Sequence, residues 1–391
     1  MATSVSIGTL FGIDIRVNWS WFVILLLVVI NLSQTFRGMH PNWGTLLVWS
    51  TSILAALVFF GSVLAHELGH SLVARARGIP VRDITLHLFG GVSDLEREPE
   101  SPASEFLLAV VGPLVSLLLG GMLLLITWLS LLPTGFSTRN PVAAVAGLSP
   151  LQTLVVWLGS VNVSLGLFNL IPGLPLDGGR VLRSALWALT GNLRLATRLA
   201  VAVARALAWG LIFGGIAMAF GLRVPLLGTG LGGGLWLAFI GWFLKNASAQ
   251  SYQQVVIRDV LRGVAVSQLM RANPPTCHPA LSLAHLFNDQ MLATGDDALP
   301  VVDRGRLVGL VTLADVRRIT REAWGVTAVR EVMTLADQLI TVAPGDDVER
   351  ALDKLAASDV RQLPVLLDGQ LVGMLRRRDI LQWLQLHAQR I

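Results

Sequence analysis

The chain has 391 residues, of which 53% are hydrophobic and 14% are charged, and its formal net charge is +5. The charged fraction is far below the quarter that is usual in soluble proteins, which excludes a wholly soluble chain. The last 141 residues carry 16 basic and 16 acidic side chains, so the positive excess lies in the first 250 residues, and this argues against a nucleic-acid partner.

Six stretches are long and apolar enough to form transmembrane helices, because about 20 apolar residues cross a bilayer. The fifth contains Arg205 near its start, where a long basic side chain can reach the membrane surface. The N-terminus lacks a basic region ahead of its first apolar run, so we expect this segment to be retained and not cleaved as a signal peptide. The six predicted spans are residues 17–36, 41–65, 106–132, 140–176, 199–222 and 224–244.

The arginines between these spans predict the orientation of the chain. One set of loops holds Arg37, Arg139 and Arg223, one in each loop. The opposite set holds eight, and the side with more positive charge faces the cytoplasm, so we expect both termini inside the cell. These eight are Arg75, Arg77, Arg82, Arg97, Arg180, Arg183, Arg194 and Arg198.

The second span ends in "VLAHELGHSLV", which contains the pattern HExxH. On a helix, His66 and His70 lie one turn apart on one face and can bind one zinc ion. Glu67 next to them can act as the base that activates a water molecule. Ionisable residues in a membrane span are costly and therefore favour a functional role. The alternative is a polar helix end that is wetted at the membrane surface.

A catalytic zinc site usually needs a third protein ligand. The fourth span ends in "NVSLGLFNLIPGLPLDGGR", where Asp177 follows a long run without charge and is flanked by Pro and Gly. Irregular backbone at this depth is tolerated where it lines a water-filled cavity, so Asp177 is a candidate ligand. It could instead cap a helix predicted at 178–189, and one carboxylate has oxygens for both roles.

"HELGH" in one span and "FNLIPGLPLDGGR" in a later one resemble the site-2 protease family of intramembrane zinc metalloproteases, in the branch with C-terminal CBS domains. The resemblance implies His66, His70 and Asp177 as zinc ligands and Glu67 as the catalytic base. It also implies that Asn169 holds the substrate backbone or its oxyanion, which suits an amide that can both donate and accept. A hydrogen bond at a helix end is the alternative for Asn169.

Two further segments fit this resemblance. "ITLHLFGGVS" alternates like a strand, and Gly90 and Gly91 allow close backbone approach, so its edge could pair with an unwound substrate. A hairpin that only packs at the surface is the alternative, and we do not expect His87 to bind metal. "VVGPLVSLLLG" has Ser116 where the family often has Asn; we expect its Gly and Pro to serve close helix packing.

The last part of the chain contains an internal repeat. "LPVVDRGRLVGLVTLADV" and "LPVLLDGQLVGMLRRRDI" are offset by 64 residues and agree at 8 of 18 positions. Each predicts a strand, a turn, a second strand and then a helix. Cys277 is the only cysteine, so an intrachain disulfide is excluded and this part need not face an oxidising compartment.

The repeat resembles CBS domains, which implies an adenine nucleotide such as ATP or AMP as ligand and a possible homodimer. Thr312 and Asp315 match the expected contacts in the first copy. Asp379 remains in the second copy, but Arg376 replaces the hydroxyl residue there. Helix capping by the aspartates, or a pair that serves only for dimerisation, is the alternative. The expected domains are 1–250 in the membrane, 251–325 and 326–391.

We therefore expect a polytopic α-helical membrane protein with a small β element near its active site, followed by a soluble α/β CBS pair. The expected activity is a zinc-dependent endopeptidase that cleaves transmembrane proteins, with the signalling role of such cleavage implied by the resemblance alone. The alternatives are a CBS-regulated channel or transporter, which predicts polar residues along several spans, and an inactive scaffold, which predicts a missing ligand or base.

Overall fold

The computed structural model describes residues 4–88, 90–95, 97, 99–131, 147–223, 229–261, 263–358 and 360–388. The chain divides into two compact units, Met1–Gln253 and Gln254–Ile391. The strands of the first unit are β1 (Ser4–Leu10), β2 (Ile13–Asn18), β3 (Val81–His87) and β4 (Gly90–Leu95). Its helices are α1 (Trp19–Met39), α2 (Thr45–Ala76), α3 (Pro102–Leu131), α4 (Pro150–Asn169), α5 (Asp177–Thr190) and α6 (Leu193–Ala219). A further helix, α7 (Leu231–Leu261), begins in the first unit and ends in the second.

Five described helices, α1, α2, α3, α4 and α6, are long and apolar enough to cross a membrane. They overlap the first five predicted spans, of which residue 132 and residues 140–146 lie outside the described residues. The overlap confirms a polytopic helical fold. The sixth predicted span overlaps the start of α7, which is not one of the five, and its residues 224–228 lie outside the described residues. A sixth span therefore stays a prediction.

A four-stranded sheet lies beside α2 in the order β1-β2-β3-β4. β2 and β3 are parallel, and the two outer pairs are antiparallel. Ile13, Ile15 and Ile84 are buried and pack against Leu64 and Leu68 of α2. The predicted β element corresponds to β3 and β4. The hairpin of β1 and β2 was not predicted, although Ile13, Ile15 and Val17 alternate as a half-buried strand requires.

α3 and α4 pack closely because glycines face each other across the helix pair. A Cβ on Gly120 would lie 2.7 Å from the carbonyl oxygen of Gly159, and one on Gly166 would lie 3.0 Å from the carbonyl oxygen of Pro113. Small residues of this kind let two membrane helices approach to backbone contact. The contact fixes α3, which also borders the candidate site.

The strands of the second unit are β5 (Arg271–Ala272), β6 (Ala298–Asp303), β7 (Arg306–Thr312), β8 (Thr334–Leu335), β9 (Gln362–Leu367) and β10 (Gln370–Arg376). They form two three-stranded sheets, ordered β6-β7-β8 and β5-β10-β9. The α-helices are α8 (Val266–Leu269), α9 (Leu283–His285), α10 (Leu292–Thr294), α11 (Leu313–Arg317), α12 (Val348–Ala357) and α13 (Arg377–Ala388). Each repeat folds as a hairpin followed by a helix, as predicted. Left-handed backbone at Arg304–Gly305 and Asp368–Gly369 closes the two hairpins.

Candidate metal centre

α2 carries both histidines of the HExxH pattern on one buried face. The helix continues past the pattern to Ala76, so His66 and His70 lie within it and not at its end. They are 4% and 7% exposed. Their Nε2 atoms are 3.2 Å apart, as expected for side chains four residues apart on a helix.

Asp177 is the first residue of α5 and points its carboxylate at the two imidazoles. The N-cap position belongs to Leu176, which makes no side-chain cap hydrogen bond, so Asp177 does not hold the N-cap position considered for it from the sequence. Gly178 and Gly179 bring the preceding loop into contact with α5: a Cβ on Gly179 would lie 2.7 Å from the Cα of Leu174. Only glycine permits this approach, which sets where the helix begins.

The three ligand atoms form a nearly equilateral triangle. Asp177 Oδ2 lies 3.2 Å from His66 Nε2 and 3.3 Å from His70 Nε2. A tetrahedral zinc ion with ligand distances of about 2.0–2.1 Å separates its ligands by about 3.3–3.4 Å. Among the described residues, these three form the group of His, Cys, Asp or Glu side chains with metal-binding geometry. Two imidazoles and one carboxylate in this arrangement fit zinc and leave a fourth position for water or substrate.

The outer ring nitrogens of both histidines are held by α3. Ser116 Oγ lies 2.9 Å from His66 Nδ1, and the carbonyl oxygen of Leu108 lies 2.6 Å from His70 Nδ1. Because that carbonyl can only accept, His70 donates from Nδ1 and presents Nε2 to the metal position. Ser116 therefore makes a polar contact at the position where the family often has Asn. The Leu108 contact gives no signal in the sequence.

Gly112 lies between these two contacts, where α3 faces the imidazoles. A Cβ on Gly112 would lie 2.6 Å from His66 Nε2, which is inside any allowed contact distance. The expectation of helix packing for this glycine was therefore incomplete: its missing side chain also makes room for the metal site.

Glu67 faces β4. Ser93 Oγ donates a hydrogen bond of 3.0 Å to Glu67 Oε2, and a Cβ on Gly91 would lie 3.1 Å from Glu67 Cδ. Gly91 thus lies against the candidate base. Gly90 has a φ of +124°, and a Cβ on it would meet open space. Asn169 is the last residue of α4 and is half-buried. The substrate contacts assigned to Asn169, Gly90 and Gly91 stay predictions.

In the first repeat, Thr312 and Asp315 cap α11 together. Thr312 donates to Asp315 through both its backbone N–H and its hydroxyl, at 3.0 and 2.6 Å to Oδ2. Asp315 N donates in turn to Thr312 Oγ1 at 3.2 Å. The two residues form a capping box with Thr312 at the N-cap, so Asp315 takes part in capping as the third helical residue and does not hold the N-cap position considered for it. The same groups are the expected nucleotide contacts, so a bound nucleotide would have to compete for them or share them.

In the second repeat, Arg376 occupies the position of the hydroxyl and binds Asp379 with two hydrogen bonds of 2.6 and 2.8 Å. The hydrogen bonds that Arg376 donates to Asp379 raise the pKa of the guanidinium, which keeps it charged. The buried Asp296 accepts from Arg376, Arg378 and Arg271. Asp379 is therefore engaged within the protein, and the nucleotide contacts assigned to Thr312, Asp315 and Asp379 stay predictions.

The model of peptidase family M50 matches residues 54–144 and 133–213. The Synechocystis protein sll0528 and Rip3 of Mycobacterium tuberculosis, both carrying the zinc metalloprotease name, are 34% and 32% identical to it. These alignments cover 99% and 97% of this chain, and 97% and 92% of the two relatives.

The chain belongs to peptidase family M50. This confirms the site-2 protease family and the metalloprotease class that the sequence predicts, and the family implies zinc. The solved site-2 protease from Methanocaldococcus jannaschii is 27% identical to this chain, with a TM-score of 0.40. The match covers 63% of this chain and 94% of that protease. The CBS domain model matches residues 266–322 and 329–386, so this M50 peptidase carries a tandem CBS pair.

Proposed function

We propose that this M50 peptidase is an intramembrane zinc endopeptidase that cleaves peptide bonds in or near transmembrane segments of other proteins. The observation that carries the proposal is that His66, His70 and Asp177 come together in the geometry of metal ligands. Glu67, the candidate base, is the residue next to His66 in the sequence. An inactive scaffold would lack one of these four groups, and a transporter would need polar residues along several spans.

Bound zinc would supply Lewis-acid chemistry for hydrolysis of a peptide carbonyl. His66, His70 and Asp177 would hold it, with Ser116 and the Leu108 carbonyl fixing the two rings. Glu67 takes the proton from the attacking water and passes it to the leaving nitrogen. Ser93 orients the Glu67 carboxylate for this task through the hydrogen bond to Oε2.

The substrate would bind along β4. This strand is the outer member of the sheet and pairs on its inner side with β3. Its Gly91 lies against Glu67, so an unwound segment added to the free edge passes close to the base. Gly90 and Gly91 would contact the substrate backbone, and Asn169 at the end of α4 would hold the scissile carbonyl or its oxyanion.

We place both termini and the site at the cytoplasmic side of the membrane. The distribution of loop arginines supports this orientation. His66 and His70 lie in the second half of α2, toward the end that this rule places inside the cell. Substrates would then be membrane proteins whose cleavage can release a cytoplasmic part.

The CBS pair would regulate the peptidase by binding ATP or AMP. Thr312 and Asp315 are the proposed contacts, because their hydroxyl and carboxylate suit a ribose and its phosphate. Asp379 would take part only if Arg376 moved, since Arg376 holds both of its oxygens. Self-association of the protein through this pair is a further part of the proposal.

The test is the variant Glu67→Gln. An amide cannot accept the proton of the attacking water, so we expect cleavage of a membrane-embedded substrate in detergent or liposomes to fall by at least about 100-fold. Zinc content and melting temperature should match the wild type, because Glu67 is not one of the three ligands. Undiminished turnover in this variant would remove Glu67 from the mechanism.

A further inference from the structure

The two histidines and the aspartate reach the metal position by different means. His66 and His70 lie on one helix, where local geometry sets their spacing. Asp177 begins a different and shorter helix, α5, more than a hundred residues later in the chain. Local geometry cannot set its distance from the rings, so a tertiary contact must do so.

A buried ion pair supplies such a contact. Arg183 on α5 and Glu105 in the first turn of α3 are 7% and 1% exposed. Arg183 Nε donates to Glu105 Oε1 at 2.5 Å, and Nη2 contacts the same oxygen. Burying two charges costs free energy, so the presence of a buried ion pair is weak evidence that the pair stabilises the fold. Its fixed geometry suits a role in alignment.

The face of α3 that binds Arg183 also borders both histidines. Glu105, Leu108, Gly112 and Ser116 follow one another in steps of three, four and four residues, which places them on one side of a helix. Leu108 and Ser116 hold the rings of His70 and His66, and Gly112 makes room for them. Glu105 extends the same row by one turn and binds α5.

We propose that the Arg183–Glu105 ion pair positions the third metal ligand. It fixes the rotation and depth of α5 against α3, and thereby sets the Asp177 carboxylate at ligand distance from the two rings. Arg183 lies six residues after Asp177, less than two turns along α5, so a shift at Arg183 is transmitted to Asp177 by a rigid helix. Both residues are positioning residues, and the inference rests on the proposed function of the site.

The experiment measures the zinc dissociation constant of the full-length protein in detergent, by competition with a chromophoric chelator. The variants are Arg183→Gln, Glu105→Gln and the double variant. Each single change should raise the dissociation constant by about 10–100-fold, the range found when a partner of a metal ligand is lost. Arg198→Gln is the control, because Arg198 is an exposed arginine on the next helix, α6, and this change should leave zinc binding unaltered.

The double variant separates positioning from general stability. A single change removes one charge of the buried pair, keeps the other and lowers the melting temperature, whereas the double variant removes both charges. We expect its melting temperature to recover toward the wild type while its zinc affinity stays low. A folded double variant that binds zinc as tightly as the wild type would overturn the proposal, even if the single variants do not fold.

Failure of this inference can be told apart from failure of the proposed function. If Asp177→Ala binds zinc as tightly as the wild type, the ligand assignment behind the proposed function is wrong. If Asp177→Ala loses zinc and the double variant does not, only the positioning role is wrong. If both lose zinc but the wild type cleaves no membrane substrate, the positioning role stands and the peptidase assignment fails.

Discussion

Replacing Gly112 by alanine adds one methyl group at the point where α3 faces the imidazoles. That methyl carbon would lie 2.6 Å from His66 Nε2 and equally close to His70 Cε1, whereas ordinary contact begins at 3.4 Å. The His66 ring would have to retreat by about 0.8 Å, and the His70 ring by more because its Nε2 lies closer still to the added methyl. Zinc–ligand distances tolerate only about 0.2 Å. The His66 and His70 nitrogens therefore cannot both stay at ligand distance.

We expect Gly112→Ala to lower zinc affinity by at least the 10–100-fold that is typical of lost ligand support, and to lower cleavage with it. Zinc content by mass spectrometry after dialysis against a weak chelator measures the first effect. Gly121→Ala on the same helix is the matched control, because its added methyl would meet open space. In a helix this control change should stabilise the protein by about 0.5–1 kcal/mol. Full zinc occupancy in folded Gly112→Ala would refute the geometric reasoning.

Three further outcomes are expected. Ser116→Ala should weaken zinc binding about tenfold while leaving the fold intact, because the ring of His66 loses its partner; equal affinity in equilibrium dialysis would contradict this. Ser93→Ala should lower kcat and leave zinc content unchanged, because it frees the Glu67 carboxylate without touching a ligand; a loss of zinc instead would show that Ser93 supports the ligands. Burial raises the pKa of the Cys277 thiol to about 12, so iodoacetamide at pH 8 should label it far more slowly in the native protein than in denaturant. Equal labelling rates would contradict the buried position.

The parts of the site that sequence could predict are those set by local geometry. The spacing of His66 and His70 follows from a helix, and long apolar runs reveal five spans. Asp177 was a candidate ligand from its place after an uncharged run, and the family resemblance implied it as the third ligand. Its distance to the rings could not be predicted, because that distance depends on contacts between remote segments. The first two strands were missed, since an alternating run next to a longer apolar stretch gives a weak signal.

The supporting contacts could not be predicted from the sequence at all. The Leu108 carbonyl is a backbone group, which any residue could supply. The pairing of Glu105 with Arg183 joins two charges 78 residues apart, and many other pairings were open to each. The space at Gly112 depends on how α2 and α3 cross. Such contacts are specified by packing, and a single sequence does not reveal them.

The location of the polar groups also bears on the alternative functions. A channel or transporter would be expected to place ionisable residues near the midplane of several spans. The metal-binding group in the described part of this chain instead joins α2 with the start of α5, beside a sheet edge. Together with membership of the M50 family, this favours a zinc metalloprotease over a channel or transporter.

In the proposed mechanism, two histidines and one aspartate hold a zinc ion beside Glu67. Zinc K-edge X-ray absorption on purified Glu67→Gln protein detects that ion and identifies its ligands. We predict one zinc per chain with nitrogen and oxygen neighbours at about 2.0–2.1 Å, of which two are imidazoles, and loss of the signal in Asp177→Ala. Protein without zinc, or zinc bound to sulfur at about 2.3 Å, would contradict it.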